Sequence, residues 1–537
     1  MKKNRLIAAM MAVTMTSVAV LSGCGSGAEE KKGEKGPVKL TFAKNMTSSY
    51  SKGAGSDQTP EENDFLDYLR DEKNLDLTLE WSAQDDDYLD KLSLNIASGN
   101  LPDFFIVRDY NTFKQLVDNG LVADITEAYN SKASDLMKAY NESSEGRYND
   151  AASVDGKLYG IPSGTMGNQQ SVCWLRADWM KNLGLETPST MEELEGVLKA
   201  FTEDDPDGNG KDDTFGLTVH STELVSKNGS LYGLEPIFYA MNAYPQNWMQ
   251  DEKGQIYYGS VEDSMKDALE ILQKWYVNGY IDKQFPTRIG TGETLGTITS
   301  GEGGAFFGPW WSFPSDPAVL EQDWIPVNCP LDGEGKYNYV EPTPYSSVIV
   351  VNKNCENYEA AVEAISASLD AVKGVDKKGR EILDEIGDEG YVTPLGLWGS
   401  DYYDIVPKLG KICKQYVEEG SYEEYDGMTD YDKSEVENCQ KWLDGEKSEA
   451  IQWSYSARYL ASNIVDDEIC NPLTAAFYYT TESSANLLPT LDKLEEEMYF
   501  KIITGEKDVD YFDEFTKEWH KLGGDTLTEE VKAVVNK

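Results

Sequence analysis

The sequence predicts an α/β fold divided into at least two lobes. Short alternating or continuous apolar runs recur between amphipathic helical stretches, and this alternation is typical of a mostly parallel sheet covered by helices on both faces. The chain has 537 residues, which is more than one hydrophobic core usually serves. Two or more α/β units are therefore expected along the chain.

The early part of the chain carries the clearest strand and helix signals. Residues 38–42 and 75–81 alternate apolar and polar positions, and 103–107 is a short apolar run of the buried-strand type. Between and after them, helices are predicted at 64–70, 88–98 and 110–119. The second of these helices ends at Gly99-Asn100-Leu101-Pro102, which is a helix-stop pattern.

Three later helices are predicted from capping and periodicity. Thr190 and Glu193 form a capping box that begins a helix. Residues 260–278 keep apolar side chains at helical spacing, and so do residues 511–522, where the glycine pair Gly523-Gly524 is expected to stop the helix. These segments extend the α/β pattern to the end of the chain.

The first 24 residues have the pattern of an export signal. Lys2, Lys3 and Arg5 precede an apolar stretch, 6–21, that is short for a membrane span. The run Leu21-Ser22-Gly23-Cys24 that follows resembles the lipobox of bacterial lipoproteins, in which the signal is cut before the cysteine and the thiol carries a diacylglyceryl group. The resemblance implies a signal peptide at 1–23 and lipidation of Cys24. A plain signal peptide with a chance cysteine is the alternative.

The composition after Cys24 indicates a tether and then an acidic body. Residues 24–37 are rich in Gly, Ser, Glu and Lys, which predicts a flexible linker between the lipid and the folded protein. The net charge of the whole chain is −47. Such a surface repels phosphates, so neither nucleic acid nor an anionic lipid surface is an expected partner.

Histidine and cysteine usage excludes several kinds of catalytic and metal site. Only His220 and His520 occur, so most zinc sites and Ser-His-Asp triads are disfavoured. Beyond Cys24 there are six scattered cysteines with no CxxC pair, and their spacing favours no particular disulfide. No catalytic cofactor is expected.

An acidic, glycine-containing loop at 205–213 predicts a structural calcium site. Asp205, Asp207 and Asn209 fall at positions 1, 3 and 5 of an EF-hand-type loop, the Lys211 carbonyl at position 7 and Asp213 at position 9. Position 12 is Gly216, where an EF-hand has its bidentate glutamate, so a carboxylate from elsewhere, such as Glu203, would have to complete the site. An acidic turn without metal is the alternative.

Several stretches in order resemble the carbohydrate-binding branch of the extracellular solute-binding proteins (family 1) of bacterial ABC importers. They are similar to the large lipoprotein components of Gram-positive type, and the resemblance spans almost the whole mature chain. The stretches are KLSLNIASGNLPD at 91–103, DGKLYGIP at 155–162, WLRADW at 174–179, the acidic loop at 205–213, and the tail from KIITG at 501–505 to WHKLGGD at 519–525.

The resemblance implies a two-lobed, periplasmic-binding-protein-like fold of type II with hinge crossovers. Lobe 1 would hold 38–165 and 347–390, and lobe 2 would hold 166–346 and 391–537. A carbohydrate, with an oligosaccharide favoured, would bind between the lobes and pass unaltered to the permease subunits of an ABC importer. The protein would act as a monomer on the outer face of the cytoplasmic membrane, held there by its lipid.

The strongest candidate for ligand contact is Trp310. In the maltose-binding relatives, a Gly-Pro-Trp after a strand sets the tryptophan against a sugar, and this sequence has Gly308-Pro309-Trp310-Trp311. An aromatic ring suits the apolar face of a sugar ring. The alternative is that one or both tryptophans belong to the core.

Further candidates follow the predicted strands and crossovers. Carboxylate, guanidinium and amide groups pair well with sugar hydroxyls, whereas Asp109 could instead cap a helix or form a surface ion pair. The loop with Asn45 and Tyr50, Trp248 and the aromatic run 477–479 are weaker candidates. The ligand-binding set comprises Trp310, Trp311, Arg108, Asp109, Tyr110, Asn168, Gln169, Gln170, Asn45, Trp248 and Tyr478.

Two other classes of function stay open from the residues alone. A secreted glycoside hydrolase needs two carboxylates across a cleft, and with 95 Asp and Glu residues such pairs arise in any case. A surface adhesin or a receptor for another protein is the third possibility. Release of shorter sugars would favour the hydrolase, whereas thermal stabilisation by a small sugar would count against the adhesin.

Overall fold

The computed structural model describes residues 36–46, 58–226, 229–288, 290–387, 389–395 and 400–536. The predicted signal peptide at 1–23, Cys24, most of the linker at 24–37 and Tyr50 lie outside the described residues. Among the helices that are described, none is both long and apolar enough to cross a bilayer.

Fifteen strands are numbered in chain order within this part of the chain. They are β1 Val38–Met46, β2 Leu75–Gln84, β3 Phe104–Val107, β4 Ser153–Val154, β5 Lys157–Leu158, β6 Gly160–Gly164, β7 Ser171–Arg176, β8 Phe215–Leu217, β9 Trp248–Gln250, β10 Ile256–Tyr258, β11 Gly303–Pro309, β12 Trp324–Val327, β13 Tyr337–Val340, β14 Tyr345–Val351 and β15 Cys470–Leu473.

The described helices are numbered in the same way. They are α1 Asp64–Lys73, α2 Asp85–Ser98, α3 Tyr110–Asp118, α4 Thr126–Lys132, α5 Asp135–Ser143, α6 Arg147–Ala151, α7 Ala177–Leu183, α8 Met191–Glu203, α9 Glu235–Ala240, α10 Met265–Asn278, α11 Thr291–Thr299, α12 Tyr358–Val372, α13 Lys377–Ile386, α14 Glu389–Val392, α15 Ile405–Glu419, α16 Asp430–Leu443, α17 Glu449–Ser454, α18 Ser484–Ile503, α19 Tyr511–Trp519 and α20 Asp525–Val535.

Lobe 1 is built on a five-stranded sheet in the order β2-β1-β3-β14-β6. β1 is parallel to β2 and β3, whereas β14 is antiparallel to both of its neighbours, so four of the five strands run the same way. The core around this sheet takes its buried residues from 40–161 and from 345–395. The register brings the carboxyl ends of β1, β2, β3 and β6 to one edge.

Lobe 2 is built on a four-stranded sheet in the order β12-β7-β11-β8. β7 is antiparallel to β11 and β12, and β8 is parallel to β11, so the carboxyl ends of β8, β11 and β12 share an edge with the start of β7. Its main core joins that sheet to helices α8, α10, α18 and α19. The α/β, two-lobed fold class is thereby confirmed, while the residue limits given above for the lobes stay a prediction.

Most of the predicted elements are confirmed, with one correction. α2 ends at Gly99 in the left-handed conformation, and the Thr190–Glu193 capping box is present with both of its hydrogen bonds. The helix predicted from 260 begins only at Met265, after a short 3₁₀ turn at Gly259–Val261. The predicted end of the helix at Gly523-Gly524 is confirmed: Gly523 has φ 121°, outside the helical range, and a separate helix, α20, begins at Asp525.

The chain passes between the two sheet edges in short crossovers that are bonded to one another. Residues 165–170 join β6 to β7, and 341–344 join β13 to β14. The Thr165 amide donates to the Pro344 carbonyl (2.9 Å), and the Gly167 amide donates to the Tyr403 carbonyl (2.8 Å). Since a Cβ on Gly167 would lie 2.5 Å from the Tyr403 ring, only glycine fits against that ring without displacing it.

The buried carboxylate of Glu341 accepts hydrogen bonds from several separate segments of the chain. Arg147 of α6 in lobe 1 donates to its Oε2 (2.8 Å), and Thr474 in lobe 2 donates to the same oxygen (3.1 Å). The Tyr403 hydroxyl donates to its Oε1, and the Arg147 guanidinium lies 4.3 Å from the centre of the Tyr403 ring. One side chain thus contacts lobe 1, lobe 2 and two passages of chain between them.

A second buried carboxylate, Glu495, lies inside lobe 2 on α18. It accepts hydrogen bonds from Ser260 (2.8 Å), Tyr499 (2.7 Å) and Tyr258 (3.3 Å). Burial raises the pKa of Glu495 from 4.5 to about 7, against the lowering effect of these bonds. The fold therefore favours the protonated carboxyl. The protonated Glu495 carboxyl therefore adds to the free energy of unfolding. This contribution is complete below about pH 4.5 and is lost as the pH rises through about 7.

We predict that Glu495→Gln, which keeps the shape but cannot ionise, stabilises the protein more at pH 8 than at pH 5. The gain between the two pH values should be on the order of 1–3 kcal/mol, read from urea-unfolding midpoints. Glu496→Gln is the control, because Glu496 is the exposed neighbour on the same helix. Equal effects of Glu495→Gln at both pH values would show that Glu495 is ionised throughout.

Candidate functional site

The lobe 1 edge carries four of the predicted ligand residues. Asn45 lies near the end of β1, while Arg108, Asp109 and Tyr110 follow β3 directly. Asp109 caps α3, since its Oδ1 accepts from the Thr112 amide at 2.7 Å. The helix-cap alternative is therefore confirmed for Asp109. The Asn45 Oδ1 is buried without a hydrogen-bond partner in the described part of the chain.

Tyr110 reaches across to lobe 2. Its ring stacks on Tyr479 with centroids 3.9 Å apart and planes 14° apart, and Tyr345 lies 6.1 Å from Tyr479 on the lobe 1 side. Tyr479 follows β15 in the aromatic run 477–479, which the sequence marked as a weaker candidate. This stack joins the lobe 1 edge to the aromatic surface of lobe 2.

Beside that stack lies a hollow in lobe 2, which we name the aromatic cavity. It encloses about 350 Å³, and a second hollow of about 440 Å³ adjoins it, sharing Thr222, Val225, Gln246 and Asp492. Both volumes fall in the range of roughly 300–1,000 Å³ that is usual for ligand sites. The aromatic cavity is lined by Thr222, Glu223, Val225, Ser226, Gln246, Asn247, Trp248, Tyr258, Phe477, Tyr478, Tyr479, Thr480, Thr481, Ser484, Leu488, Asp492, Leu527 and Val531.

Backbone pairing and ring packing hold the aromatic wall in place. Trp248, which begins β9, makes an antiparallel bridge with Phe477, and its carbonyl accepts from the Ala476 amide at 2.7 Å. Its ring packs 4.9 Å from that of Tyr258, which stacks on Trp519. The Tyr478 hydroxyl accepts from the Ala475 amide at 3.1 Å. Two predicted residues from distant segments, Trp248 and Tyr478, thus meet in one cavity.

The amides of the first crossover make structural bonds. The Asn168 Nδ2 (3.0 Å) and the Gln170 Nε2 (2.6 Å) both donate to the Val465 carbonyl, and Gln169 donates to the Gly167 carbonyl (3.2 Å). The Asn168 and Gln170 N–H groups tie the crossover to lobe 2, whereas the Gln169 bond stays within the crossover. Contact of these three residues with a ligand stays a prediction.

The tryptophan pair after β11 is divided between core and surface. Trp310 is only 5% exposed, and the Arg458 guanidinium lies 4.2 Å from its ring centre. Arg458 is itself paired with the buried Glu435 at 2.7 Å. Trp311 is 43% exposed, and its carbonyl accepts from the Trp453 indole at 3.2 Å. Neither lines the aromatic cavity, and ligand contact by either tryptophan stays a prediction.

The acidic loop lies on the surface between α8 and β8. The side-chain Nδ2 of Asn209 donates to Asp207 at 2.7 Å and to Asp213 at 3.1 Å. The Gly210 backbone amide donates to Asp205 at 3.0 Å. Glu203 instead forms an ion pair with Lys199 at 2.7 Å. Within the described residues, no three His, Cys, Asp or Glu side chains are grouped in a way that could hold a metal ion.

Sequence reasoning missed much of the polar lining of the aromatic cavity. Thr222, Glu223 and Gln246 lie in irregular segments, and Asp492 lies on the exposed face of α18. None has a periodic or motif signal of its own. Their proximity in sequence to Trp248 and to the 477–479 run was the one signal that could have found some of them.

The chain is similar to several known proteins. A profile of the bacterial extracellular solute-binding proteins matches residues 70–393, which is more than half of the chain. The polygalacturonan/rhamnogalacturonan-binding protein YtcQ of Bacillus subtilis is 29% identical over 57% of this chain and 57% of its own. The lipoprotein LipO of the same organism is 24% identical over 98% of each chain. This chain therefore aligns with little more than half of YtcQ but with nearly all of LipO.

A solved structure gives the same fold. It is the human-milk-oligosaccharide (HMO) binding, ABC-transporter-associated solute-binding protein of Bifidobacterium longum infantis, with a TM-score of 0.63 and 14% identity over 94% of this chain and 99% of that one. The profile match and the shared fold agree with the resemblance found in the sequence motifs. This chain belongs to the bacterial extracellular solute-binding proteins.

Proposed function

We propose that this protein captures an oligosaccharide outside the cell and delivers it, chemically unchanged, to the permease subunits of an ABC importer. The observation that carries the proposal is the aromatic cavity beside the Tyr110–Tyr479 contact between the lobes, in a chain of this family. The names of YtcQ and of the Bifidobacterium protein support a glycan as the ligand. We propose that it works as a monomer.

The lining of the cavity suits a glycan physically. Half-buried Trp248 and Tyr478 offer flat apolar surface, and covering such surface is worth roughly 25 cal/mol per Å². Thr480 and Thr481 carry hydroxyls, and Glu223 and Asp492 carry carboxylates, which can pair with sugar hydroxyls at the ring edge. Closure of the two lobes over the ligand would then exclude water from these bonds.

A binding role implies that the ligand leaves the protein chemically unchanged. Members of this family are solute-binding proteins, which supports capture over hydrolysis. Incubation of the purified protein with a bound oligosaccharide, followed by chromatography of the sugar, tests this directly. The intact oligosaccharide should be recovered in full.

Anchoring through Cys24 is the membrane part of the proposal. Two acyl chains on one cysteine give stable attachment, whereas a single chain is marginal. We predict that Cys24→Ser moves the protein from the detergent phase to the aqueous phase in phase partitioning, because the acceptor thiol is lost. Cys470→Ser should leave partitioning unchanged. Unaltered detergent partitioning of the Cys24→Ser protein would contradict lipidation at this residue.

Tyr478 tests the glycan site, and it separates binding from folding better than Trp310, whose ring is buried. We predict that Tyr478→Ala weakens binding of the best oligosaccharide about tenfold or more, measured by calorimetry, because the stacking surface is lost. Tyr276→Ala is the control, since Tyr276 is also half-buried but lies on α10, outside the cavity. Equal affinities of the two variants would remove Tyr478 from the site.

We also propose that the acidic loop binds calcium as a structural clip between α8 and β8. The carboxylates of Asp205, Asp207 and Asp213, with the Asn209 side-chain oxygen and the Lys211 carbonyl, form an oxygen set of the kind calcium prefers. Asp207 and Asp213 lie close together in this loop, since both accept from the Asn209 side-chain Nδ2 (2.7 Å and 3.1 Å), and a cation would take the place of that nitrogen. Since Gly216 has no ligand for position 12, water would complete the site.

For the calcium clip, we predict that Asp207→Ala lowers the melting temperature in calcium and has no effect in chelator, because the lost carboxylate matters only with the ion bound. Asp212→Ala serves as the matched control, since Asp212 lies in the same loop at a non-ligand position. The proposal fails if Asp207→Ala shifts the melting temperature equally in both buffers.

A further inference from the structure

The charge on the walls of the aromatic cavity bears on which glycans can enter. We propose that the cavity takes an uncharged glycan and discriminates against glycans that carry carboxylates, such as oligogalacturonides. The inference rests on the proposed function and narrows its substrate class. It differs from what the name of YtcQ says of that relative.

The cavity wall is acidic. Its lining includes two exposed carboxylates, Glu223 and Asp492, and no Lys, Arg or His among the residues described there. Asp492 also lines the adjoining hollow, together with Glu496 and Lys493. The pKa values around the cavity agree: burial is the main cause of the raised pKa of Glu495, and the negative charge of Asp492 raises it further. A ligand carboxylate in this cavity would therefore lie among charges of its own sign.

Three arginines near the lobe edges have carboxylate partners. Arg147 pairs with Glu341 at 2.8 Å, Arg288 with Asp282 at 2.5 Å, and Arg458 with Glu435 at 2.7 Å. All three carboxylates are nine-tenths buried, so each guanidinium compensates a charge that the fold has removed from water. Recognition of an anionic sugar relies on paired bonds from a guanidinium. A ligand carboxylate would therefore compete with a buried carboxylate for the same guanidinium.

The same carboxylates favour a neutral sugar. An ionised carboxylate accepts hydrogen bonds from two vicinal hydroxyls, and charge-assisted bonds of this kind are about twice as strong as neutral ones. Hydroxyl groups supply such donors without adding charge. Because exposed charges more than about 10 Å apart are screened at 0.1 M salt, Glu223 and Asp492 should decide the selectivity, rather than the net charge of the chain.

The experiment is calorimetry with the full-length protein against matched-length neutral oligosaccharides (xylo-, malto- and fructo-oligosaccharides) and oligogalacturonides. We expect a neutral oligosaccharide to bind at least about tenfold more tightly than any oligogalacturonide. The double variant Glu223→Gln with Asp492→Asn should bind the neutral sugar more weakly. The ratio of its affinities for the neutral oligosaccharide and for the oligogalacturonide should also be smaller. Glu192→Gln, an exposed acidic position on α8 outside the cavity, should change neither value.

The outcomes separate this inference from the function on which it rests. An oligogalacturonide that binds as tightly as the best neutral sugar, or more tightly, would overturn the inference and leave glycan capture standing. A double variant with an unchanged ratio would overturn the role given to Glu223 and Asp492. If no glycan of either kind binds, the proposed function falls and the inference falls with it.

Discussion

The arrangement of the two lobes depends on the buried carboxylate of Glu341. Arg147 and Thr474 reach this carboxylate from lobe 1 and lobe 2, and Tyr403 reaches it from a third segment of chain. Glu341 is buried whereas Arg147 is 41% exposed, so removal of Arg147 would leave a buried carboxylate with only its two hydroxyl partners. These bonds hold the edges of the two sheets opposite each other. Any site between the lobes takes its geometry from this point.

The contacts between the lobes are of two physical kinds. Around Glu341 they are charged, buried and backed by backbone bonds such as that from Gly167 to Tyr403. At the aromatic end, Tyr110 meets Tyr479 through a ring stack with no ion pair. Such a stack contributes about 0.5–1.5 kcal/mol beyond the area it buries, far less than a buried charge network costs to break. The contact between the lobes at the aromatic end is therefore the less costly one to break, and the cavity lies beside it.

Local patterns in the sequence were sufficient to predict the first three strands of the lobe 1 sheet and six of the helices. β1, β2 and β3 coincide with alternating or continuous apolar runs. The capping box of Thr190 and Glu193 marks the start of α8 through hydrogen bonds between residues that are close in sequence. The helix end at Gly523 followed from the glycine pair, whereas the packing of the helix after it depends on distant parts of the chain. In this protein Trp519 lies against Gly524, and α20 packs back on β10.

The site was less predictable than the fold. Trp310 has the right motif but is buried under Arg458, whose position is set by Glu435 far along the chain. The aromatic cavity combines residues from 222–258, 477–492 and 527–531, which no period or spacing connects. Only the aromatic members, Trp248 and Tyr478, stood out in the sequence. The role of a polar side chain in an irregular segment depends on neighbours that are distant in sequence and come close only in the folded chain.

The close approach of Gly167 to the Tyr403 ring has a mechanical consequence. Tyr403 bonds to Glu341 through its hydroxyl and to Gly167 through its backbone, so the ring is a spacer of fixed thickness between two passages of chain. A methyl group at position 167 would press against the Tyr403 ring. A substitution at 167 would therefore be expected to change the angle between the two lobes from a position outside the aromatic cavity.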